Sequence, residues 1–434
     1  MKWEIWNLSK VLLFSHSGFS DENANGITMK NLLSAWSSEE KAEFYCDVQP
    51  PDFSAAHDYF RVTDMQMLVA FAGKKATHIF KFQNMMINEA AVSHAGYKKI
   101  PSRIPTWLKH QKYNFFVKWL REIMWEVSPW GHTELDCWID DFSPDALIYM
   151  VGESIFMDHL VLRTAERMRV PLVLYNSEAY RIIDLKERTG LERAYYREIE
   201  KLYQKLNQKA VLVIYNCELL QSSYADRFHT GASQTVAYNS ASTVCSEYHP
   251  HEPISITYFG NLGVGRVDSL LQIADILREM NVHLSINVYG TANEVDEKRL
   301  CEHSNICYHG FVSSSELQGV IEQSDILLHV ESFVPEIVPK LRYAFSTKIA
   351  QCLCAGRPVF CYAPDGSASV EYLKKENGAL VATNLPELKE KLRQFISNPE
   401  LRMEYADRAL QLGKKNHQCE NTAVLIRRNI EELI

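Results

Sequence analysis

Two segments in the second half of the chain combine positive charge with the backbone geometry that suits a phosphate group. In the first, Ser346, Thr347 and Lys348 open a predicted helix. A lysine is unfavourable there because the helix dipole already places positive charge at that end. A bound anion would reverse that cost, since backbone N–H groups, hydroxyls and an ammonium would all point at it. The pattern alone fits equally well a core helix with Ser346 as its N-cap and a solvated lysine.

The second segment is a glycine-rich turn at 260–266, directly after the predicted strand 254–259. Its glycines allow a backbone to approach a ligand closely, and Arg266 at its far side can hold a diphosphate in a bidentate manner. The spacing G-x-x-G-x-G matches neither the dinucleotide fingerprint nor a Walker loop. A tight strand–helix turn with a surface arginine is the alternative interpretation.

A comparable feature occurs near the N-terminus. A polar loop follows the strand 11–14 and reaches Asn25 and Gly26 at a predicted helix start. Such a helix start can present N–H groups to a phosphate. A loop with an ordinary helix cap explains the pattern as well.

Short apolar runs alternate with longer amphipathic segments along the whole chain, which predicts α/β architecture with parallel sheets. We expect two doubly wound, Rossmann-like domains facing a central cleft, one at 1–250 and one at 251–415. Residues 416–434 are predicted to form a helix that packs back on the first domain. The predicted strands are 11–14, 145–150, 171–175, 211–215, 235–238, 254–259, 283–289, 305–308, 325–330, 358–362 and 379–382.

Composition excludes several classes of protein. The 434 residues include 46 Lys+Arg and 54 Asp+Glu, and the net charge of −8 argues against a general nucleic-acid binder. No apolar run is long enough for a membrane span. The 10 cysteines are scattered and form no C-x-x-C motif, which predicts reduced thiols in a cytoplasmic protein and no zinc site.

One basic stretch stands out against the acidic whole. Residues 97–121 contain lysines, arginines and interleaved aromatic residues but no acidic residue. This combination suits the surface of an anionic bilayer and predicts peripheral contact with the inner face of the plasma membrane. A helix with a solvated basic face and an apolar core face is the alternative, and the sequence gives no nucleic-acid-binding motif.

In order, these segments resemble the bacterial GT-B glycosyltransferases of the "group 1" type, in the branch that assembles polysaccharides. The resemblance covers about 254–385 well and the first domain only in outline. It is carried by Gly260-Asn261-Leu262 with Arg266, Val288-Tyr289-Gly290, 309–313 (H-G-F-V-S), 324–328 (S-D-I-L-L), 346–349 (S-T-K-I) and the glycine, proline and valine of 355–359.

The sequence departs from this family at one motif. Many members carry E-x7-E before the A-x-G-x-P-V signature, but Gln351 occupies the second position and Tyr343 the first. Glu331, at a predicted strand end, is the nearest acidic candidate. An amide can still bond a ribose hydroxyl, so nucleotide binding stays possible. The departure leaves open which carboxylate faces the sugar and whether anomeric configuration is retained.

The resemblance implies transfer of a hexose-type sugar from a nucleotide diphosphate to a glycan or lipid-linked acceptor in cell-surface polysaccharide synthesis. It implies that 1–250 is the acceptor-binding domain and 251–415 the nucleotide-sugar-binding domain. It implies a metal-independent, retaining enzyme whose nucleotide sugar is a co-substrate and which needs no cofactor; the sequence has no D-x-D motif. Glu331 and Glu178 are the catalytic candidates. The donor-binding candidates are Asn261, Arg266, Tyr289, Gly310, Phe311, Val312, Ser346, Thr347, Lys348 and Gln351.

Other functions on the same fold remain open at this point. One is a nucleotide-sugar 2-epimerase or a phosphorylase. Another is a non-catalytic partner subunit, which the missing second glutamate favours.

Overall fold

The computed structural model describes residues 9–73, 79–81, 115–242 and 247–433. Most of the basic stretch predicted at 97–121 lies outside these residues. Within the described residues, no helix combines the length and apolar character needed to cross a membrane.

The first domain is built on a sheet whose strand order is β4-β3-β2-β1-β5-β6-β7-β8, parallel except for β4. Strands β1, β5, β6 and β7 are buried apolar runs, as a parallel sheet covered on both faces requires. The strands are β1 (Val11–Phe14), β2 (Lys41–Tyr45), β3 (Asp58–Arg61), β4 (Ile79–Lys81), β5 (Ala146–Met150), β6 (Leu172–Asn176), β7 (Ala210–Tyr215) and β8 (Ser233–Val236).

Helices cover both faces of this sheet. They are α1 (Ala24–Leu32), α2 (Asp64–Phe71), α3 (Phe115–Val127), α4 (His132–Phe142), α5 (Ile155–Met168), α6 (Gly190–Lys209) and α7 (Glu218–Arg227). Two sequence-based bounds are corrected. The helix predicted near Gly26 begins at Ala24 because the Asn23 side chain caps it, and the strand predicted at 235–238 lies two residues earlier.

The second domain has a fully parallel sheet with the strand order β11-β10-β9-β12-β13-β14. Its strands are β9 (Ile256–Phe259), β10 (Ile286–Tyr289), β11 (Ile306–Gly310), β12 (Ile326–Val330), β13 (Val359–Tyr362) and β14 (Leu380–Ala382). Its helices are α8 (Arg266–Glu279), α9 (Glu294–Glu302), α10 (Ser314–Glu322), α11 (Val338–Leu341), α12 (Thr347–Cys354), α13 (Ala368–Lys375), α14 (Leu385–Ser397) and α15 (Pro399–Asn416).

The chain returns to the first domain at its end. Helix α16 (Cys419–Glu431) packs against α1, and Arg427 forms a buried ion pair with Glu40 at 2.9 Å. At the crossing, His417 bonds the carbonyl oxygen of Asn239 and the hydroxyl of Tyr372. The predicted domain bounds stay predictions, but the two parallel sheets confirm the doubly wound α/β fold.

Candidate active site

Two glycines lie at the ends of neighbouring strands in the second sheet. Gly260 follows β9 with φ of +119°, and Gly290 follows β10 with φ of +150°. A Cβ atom on Gly290 would lie 2.0 Å from the carbonyl oxygen of Gly260, and one on Gly260 would lie 2.6 Å from Cδ of Lys348. The glycines therefore let the two turns and the Lys348 side chain pack together.

Lys348 lies in the first turn of α12, and its side chain runs along the end of β9. Its Nζ donates a hydrogen bond of 2.9 Å to Oη of Tyr258 and lies 4.2 Å from the centre of that ring. The hydroxyl cap predicted for this helix is corrected: Ser346 occupies the N-cap position, but its side chain does not bond the first N–H groups. The backbone N–H of Ser346 donates instead to Oγ of Ser369.

Arg266 and Glu331, a donor-binding and a catalytic candidate, face each other at the same edge of the sheet. Arg266 is the first residue of α8, and its Nε and Nη2 both lie 2.8 Å from Oε2 of Glu331. Glu331 directly follows β12, is 5% exposed, and its carbonyl oxygen accepts from Oγ of Ser269. The start of helix α8 and the end of strand β12 therefore hold the two side chains together.

A buried histidine lies beside this ion pair, within the electrostatic influence of Lys348. His329, near the end of β12, is fully buried, and its Nε2 lies 3.9 Å from Oε1 of Glu331. Burial lowers its pKa well below the usual value, and the positive charges of Lys348 and Arg266 lower it further. The imidazole is therefore neutral, and it feels the positive charges of both Arg266 and Lys348.

The remaining donor-binding candidates lie along the same edge with different surroundings. Tyr289 at the end of β10 stacks on His309, with centroids 4.5 Å apart, and Phe311 is 78% exposed. The Asn261 side chain accepts from the N–H of Gly263 and so holds the turn. Three further candidates are half-buried: Gly310, Val312 and Gln351.

In the first domain, a cavity of about 320 Å³ lies beyond the ends of β1, β5 and β6. Asn25 lines it, whereas Gly26 serves packing. A Cβ atom on Gly26 would lie 2.6 Å from the carbonyl oxygen of Gly18, and its N–H already donates to Oδ1 of Asn23. The predicted phosphate contact of Gly26 would therefore compete with the helix cap.

Glu178 lies on the loop after β6, next to cavity-lining Ser177 and Tyr180. Burial raises the pKa of its carboxyl group to about 7. Arg181 holds this loop against the core, because its guanidinium donates two hydrogen bonds of 2.7 and 2.8 Å to the carboxylate of the buried Asp158. Glu178 is thus held near a cavity in a protonatable state.

Sequence reasoning missed part of this cavity. Glu153, which follows β5 and lines the cavity together with His16, was not singled out from the sequence. The available signal was position, since both residues follow predicted strands. In the described residues, no group of three His, Cys, Asp or Glu side chains has the arrangement of a metal site.

The second domain matches a known protein family. Residues 270–428 match the model of the family described as "Glycosyl transferase-like". No curated protein matches the chain.

Several solved structures share the two-domain fold over nearly the whole chain. HepE (Alr3699) from Anabaena, in complex with UDP, has a TM-score of 0.62 and 12% identity, covering 98% of this chain and 100% of that chain. Sucrose-phosphate synthase from Thermosynechococcus elongatus has a TM-score of 0.60 and 11% identity, covering 98% and 99%. WaaG, a glycosyltransferase involved in lipopolysaccharide biosynthesis, has a TM-score of 0.54 and 12% identity, covering 96% and 99%. At these identities the likeness shows the fold, which is GT-B, and with the family match it confirms the resemblance carried by the motifs.

Proposed function

We propose that this GT-B chain, whose second domain is glycosyl transferase-like, moves a sugar from a nucleotide diphosphate to a glycan or lipid-linked acceptor in cell-surface polysaccharide synthesis. The family match over 270–428 supports sugar transfer. HepE, which shares the fold, binds UDP and UDP-glucose, and WaaG acts in lipopolysaccharide biosynthesis. These relatives favour a nucleotide sugar as donor and a surface glycan as product.

The arrangement of Arg266, Lys348 and Glu331 carries this proposal. The diphosphate would lie between the two cations and the N–H of Thr347 at the start of α12, since the N–H of Ser346 already donates to Oγ of Ser369. As the bond between sugar and phosphate breaks, negative charge grows on the leaving oxygens, and preorganised cations stabilise it. Since Arg266 already holds one oxygen of Glu331, the other oxygen is left to orient a sugar hydroxyl or the developing cationic carbon.

The chain's own cations would provide this charge compensation, so we propose a metal-independent reaction that uses no cofactor besides its co-substrate. Tyr289 and Phe311 offer aromatic surface to the base, and Gln351, one turn after Lys348, offers an amide to the ribose. Retention of anomeric configuration follows from the resemblance to the group 1 enzymes and belongs to the same proposal.

On the acceptor side, Glu178 is proposed as the base or hydrogen-bond partner of the attacking hydroxyl. A carboxyl whose pKa is near 7 suits this role because it takes up a proton easily yet is largely ionised slightly above neutrality. Closure of the two domains would exclude water and favour transfer over hydrolysis. An ion pair between Glu218 on α7 and Lys375 on α13 already spans them.

We also propose peripheral contact with the inner membrane face through 97–121, in an otherwise cytoplasmic protein. The described end of that stretch lies in α3, where Phe116 and Leu120 are 62% and 47% exposed. Ile123 and Val127 continue the apolar stripe along the same face of the helix, at 51% and 60% exposed. Such a stripe beside basic residues suits a bilayer surface.

Release of nucleoside diphosphate from a panel of sugar donors, with and without a mixed glycan acceptor, tests the proposal. Acceptor-dependent release supports transfer, whereas conversion of the donor without acceptor favours an epimerase. Calorimetric titration with uridine and guanosine diphosphates separates an enzyme from a non-catalytic partner subunit. Absence of binding to either nucleotide would reject the enzyme.

A further inference from the structure

The cavity in the first domain has a lining rich in polar side chains but balanced in charge. It is lined by His16, Asn25, Arg121, Glu153, Ser177 and Tyr180, together with the backbone that follows β5. These residues come from five elements: the loops after β1, β5 and β6, and helices α1 and α3. Glu178 directly follows Ser177 of the lining, so a ligand in the cavity would lie beside the loop that carries Glu178.

Each cation at this cavity already has a carboxylate partner. Nε of Arg121 lies 3.0 and 3.1 Å from the two carboxylate oxygens of Asp64 on α2. Nζ of Lys118 lies 2.8 Å from Oε1 of Glu153. Both charges are therefore balanced by carboxylates, whereas at the donor site Lys348, bonded to a neutral hydroxyl, adds a positive charge to the Arg266–Glu331 pair.

His16 adds a hydrogen-bonding group without charge. Burial lowers the pKa of its imidazole to about 4, and the charge of Arg121 acts in the same direction. Its Nε2 is buried and has no hydrogen-bond partner among the described residues. The ring lies against Gly152. A Cβ atom at that position would approach Cδ2 of His16 to 2.5 Å, so the glycine leaves the space that the ring occupies.

We propose that this cavity takes an uncharged sugar unit of the acceptor, and that His16 holds it by a hydrogen bond to a ring hydroxyl. The inference rests on the proposed glycosyl transfer and names the chemistry of its acceptor. A phosphate or uronic-acid carboxylate entering the cavity would lose its hydration without gaining an unpaired cation, which is costly. A neutral polyol gains hydrogen bonds instead, from His16, Ser177 and Asn25.

The charge balance gives a sharp test through Glu153→Gln. This change keeps the shape of the side chain but frees the ammonium of Lys118, so the cavity becomes cationic. Transfer to an alkyl glucoside and to the matching alkyl glucuronide is measured with one donor, as kcat/KM. Wild type should prefer the glucoside, and Glu153→Gln should shift the ratio toward the glucuronide by about tenfold or more, as expected for one unscreened charge pair.

Glu126→Gln is the matched control. Glu126 lies on α3 and pairs with the exposed His159, away from the cavity lining, so the ratio should stay at the wild-type value. An unchanged ratio in Glu153→Gln, or a wild type that prefers the glucuronide or a lipid phosphate, would overturn the inference.

The role of His16 has its own readout. His16→Phe should raise the KM for the glucoside while leaving the KM for the donor unchanged, and His16→Gln should restore part of the loss. A change in kcat alone, with no change in acceptor KM, would contradict a role in holding the acceptor.

The same assays separate this inference from the proposed function. If the wild type neither binds nor turns over any nucleotide sugar, glycosyl transfer is wrong and the inference falls with it. If sugar is transferred but only to anionic acceptors, glycosyl transfer stands and only the neutral-acceptor inference fails.

Discussion

Glu178 is a half-buried carboxyl group whose change of protonation should affect the free energy of unfolding. Its pKa in the folded chain is about 7, raised from an ordinary value of 4.5, and burial is the cause. Replacing it in Glu178→Gln removes the titration while keeping the size of the side chain. We therefore expect the variant to lose a pH dependence that the wild type shows.

The sign and size follow from the two pKa values. Between pH 4.5 and 7 the folded state keeps a proton that the unfolded state releases, so this group's contribution to stability falls as pH rises through that window. At about 1.4 kcal/mol per pKa unit, the window corresponds to about 3 kcal/mol. Relative to wild type, Glu178→Gln should therefore gain about that free energy of unfolding across the window.

Urea unfolding of both proteins over this pH range measures the difference directly. Glu187→Gln, which changes an exposed glutamate shortly after the same loop, is the control and should follow the wild type. Parallel pH curves for wild type and Glu178→Gln would refute the burial argument. If Glu178 also acts as the base, kcat/KM of wild type should rise as the pH increases through about 7. Glu178→Gln should lack this rise.

Three further changes test a strained glycine, a buried ion pair and a buried carboxyl group. Gly260→Ala should lower the free energy of unfolding by about 1–3 kcal/mol, because the backbone at Gly260 has a φ of +119°. It should also raise the KM for the donor, because the added Cβ atom would displace the Lys348 side chain. An unchanged stability and an unchanged KM would contradict the close packing of Lys348 on Gly260. Asp158→Asn leaves the buried charge of Arg181 without its partner, so the free energy of unfolding should fall by about 3–5 kcal/mol. Chemical denaturation measures this fall, and a loss below about 1 kcal/mol would show that the ion pair is dispensable. Burial raises the pKa of Glu43 to about 8, so Glu43→Gln should gain stability over wild type as pH rises from 4.5 to 8, and equal pH slopes would rule this out.

Much of the fold was predictable because most strands are continuous apolar runs. The runs ending at Phe14, Met150 and Val330 are found as buried parallel strands, close to their predicted bounds. Strands β2 and β3 were missed because each contains charged residues. Glu43 of β2 is fully buried yet paired, accepting from Oγ of Ser15 and N–H of Phe19, and no local pattern predicts such partners.

The site was predictable only in part, for a similar reason. Strand ends and helix starts indicated Arg266, Lys348 and Glu331, because parallel sheets bring those positions to one edge. The direct pairing of Arg266 with Glu331 depends on side-chain direction across 65 residues of sequence. The Tyr258 contact of Lys348 likewise depends on tertiary packing, which spacing does not encode.

The proposed sugar transfer depends on Arg266 and Lys348 together holding the diphosphate of the donor. The direct measurement is nucleoside diphosphate release by Arg266→Ala, Lys348→Ala and the double variant, with Arg278→Ala as control, an exposed arginine on the same helix. Nucleotide binding by calorimetry on the same proteins separates loss of the site from loss of fold. Each single change should weaken binding and turnover, the double variant should lose both, and the control should match wild type. Wild-type turnover in the double variant would contradict this dependence.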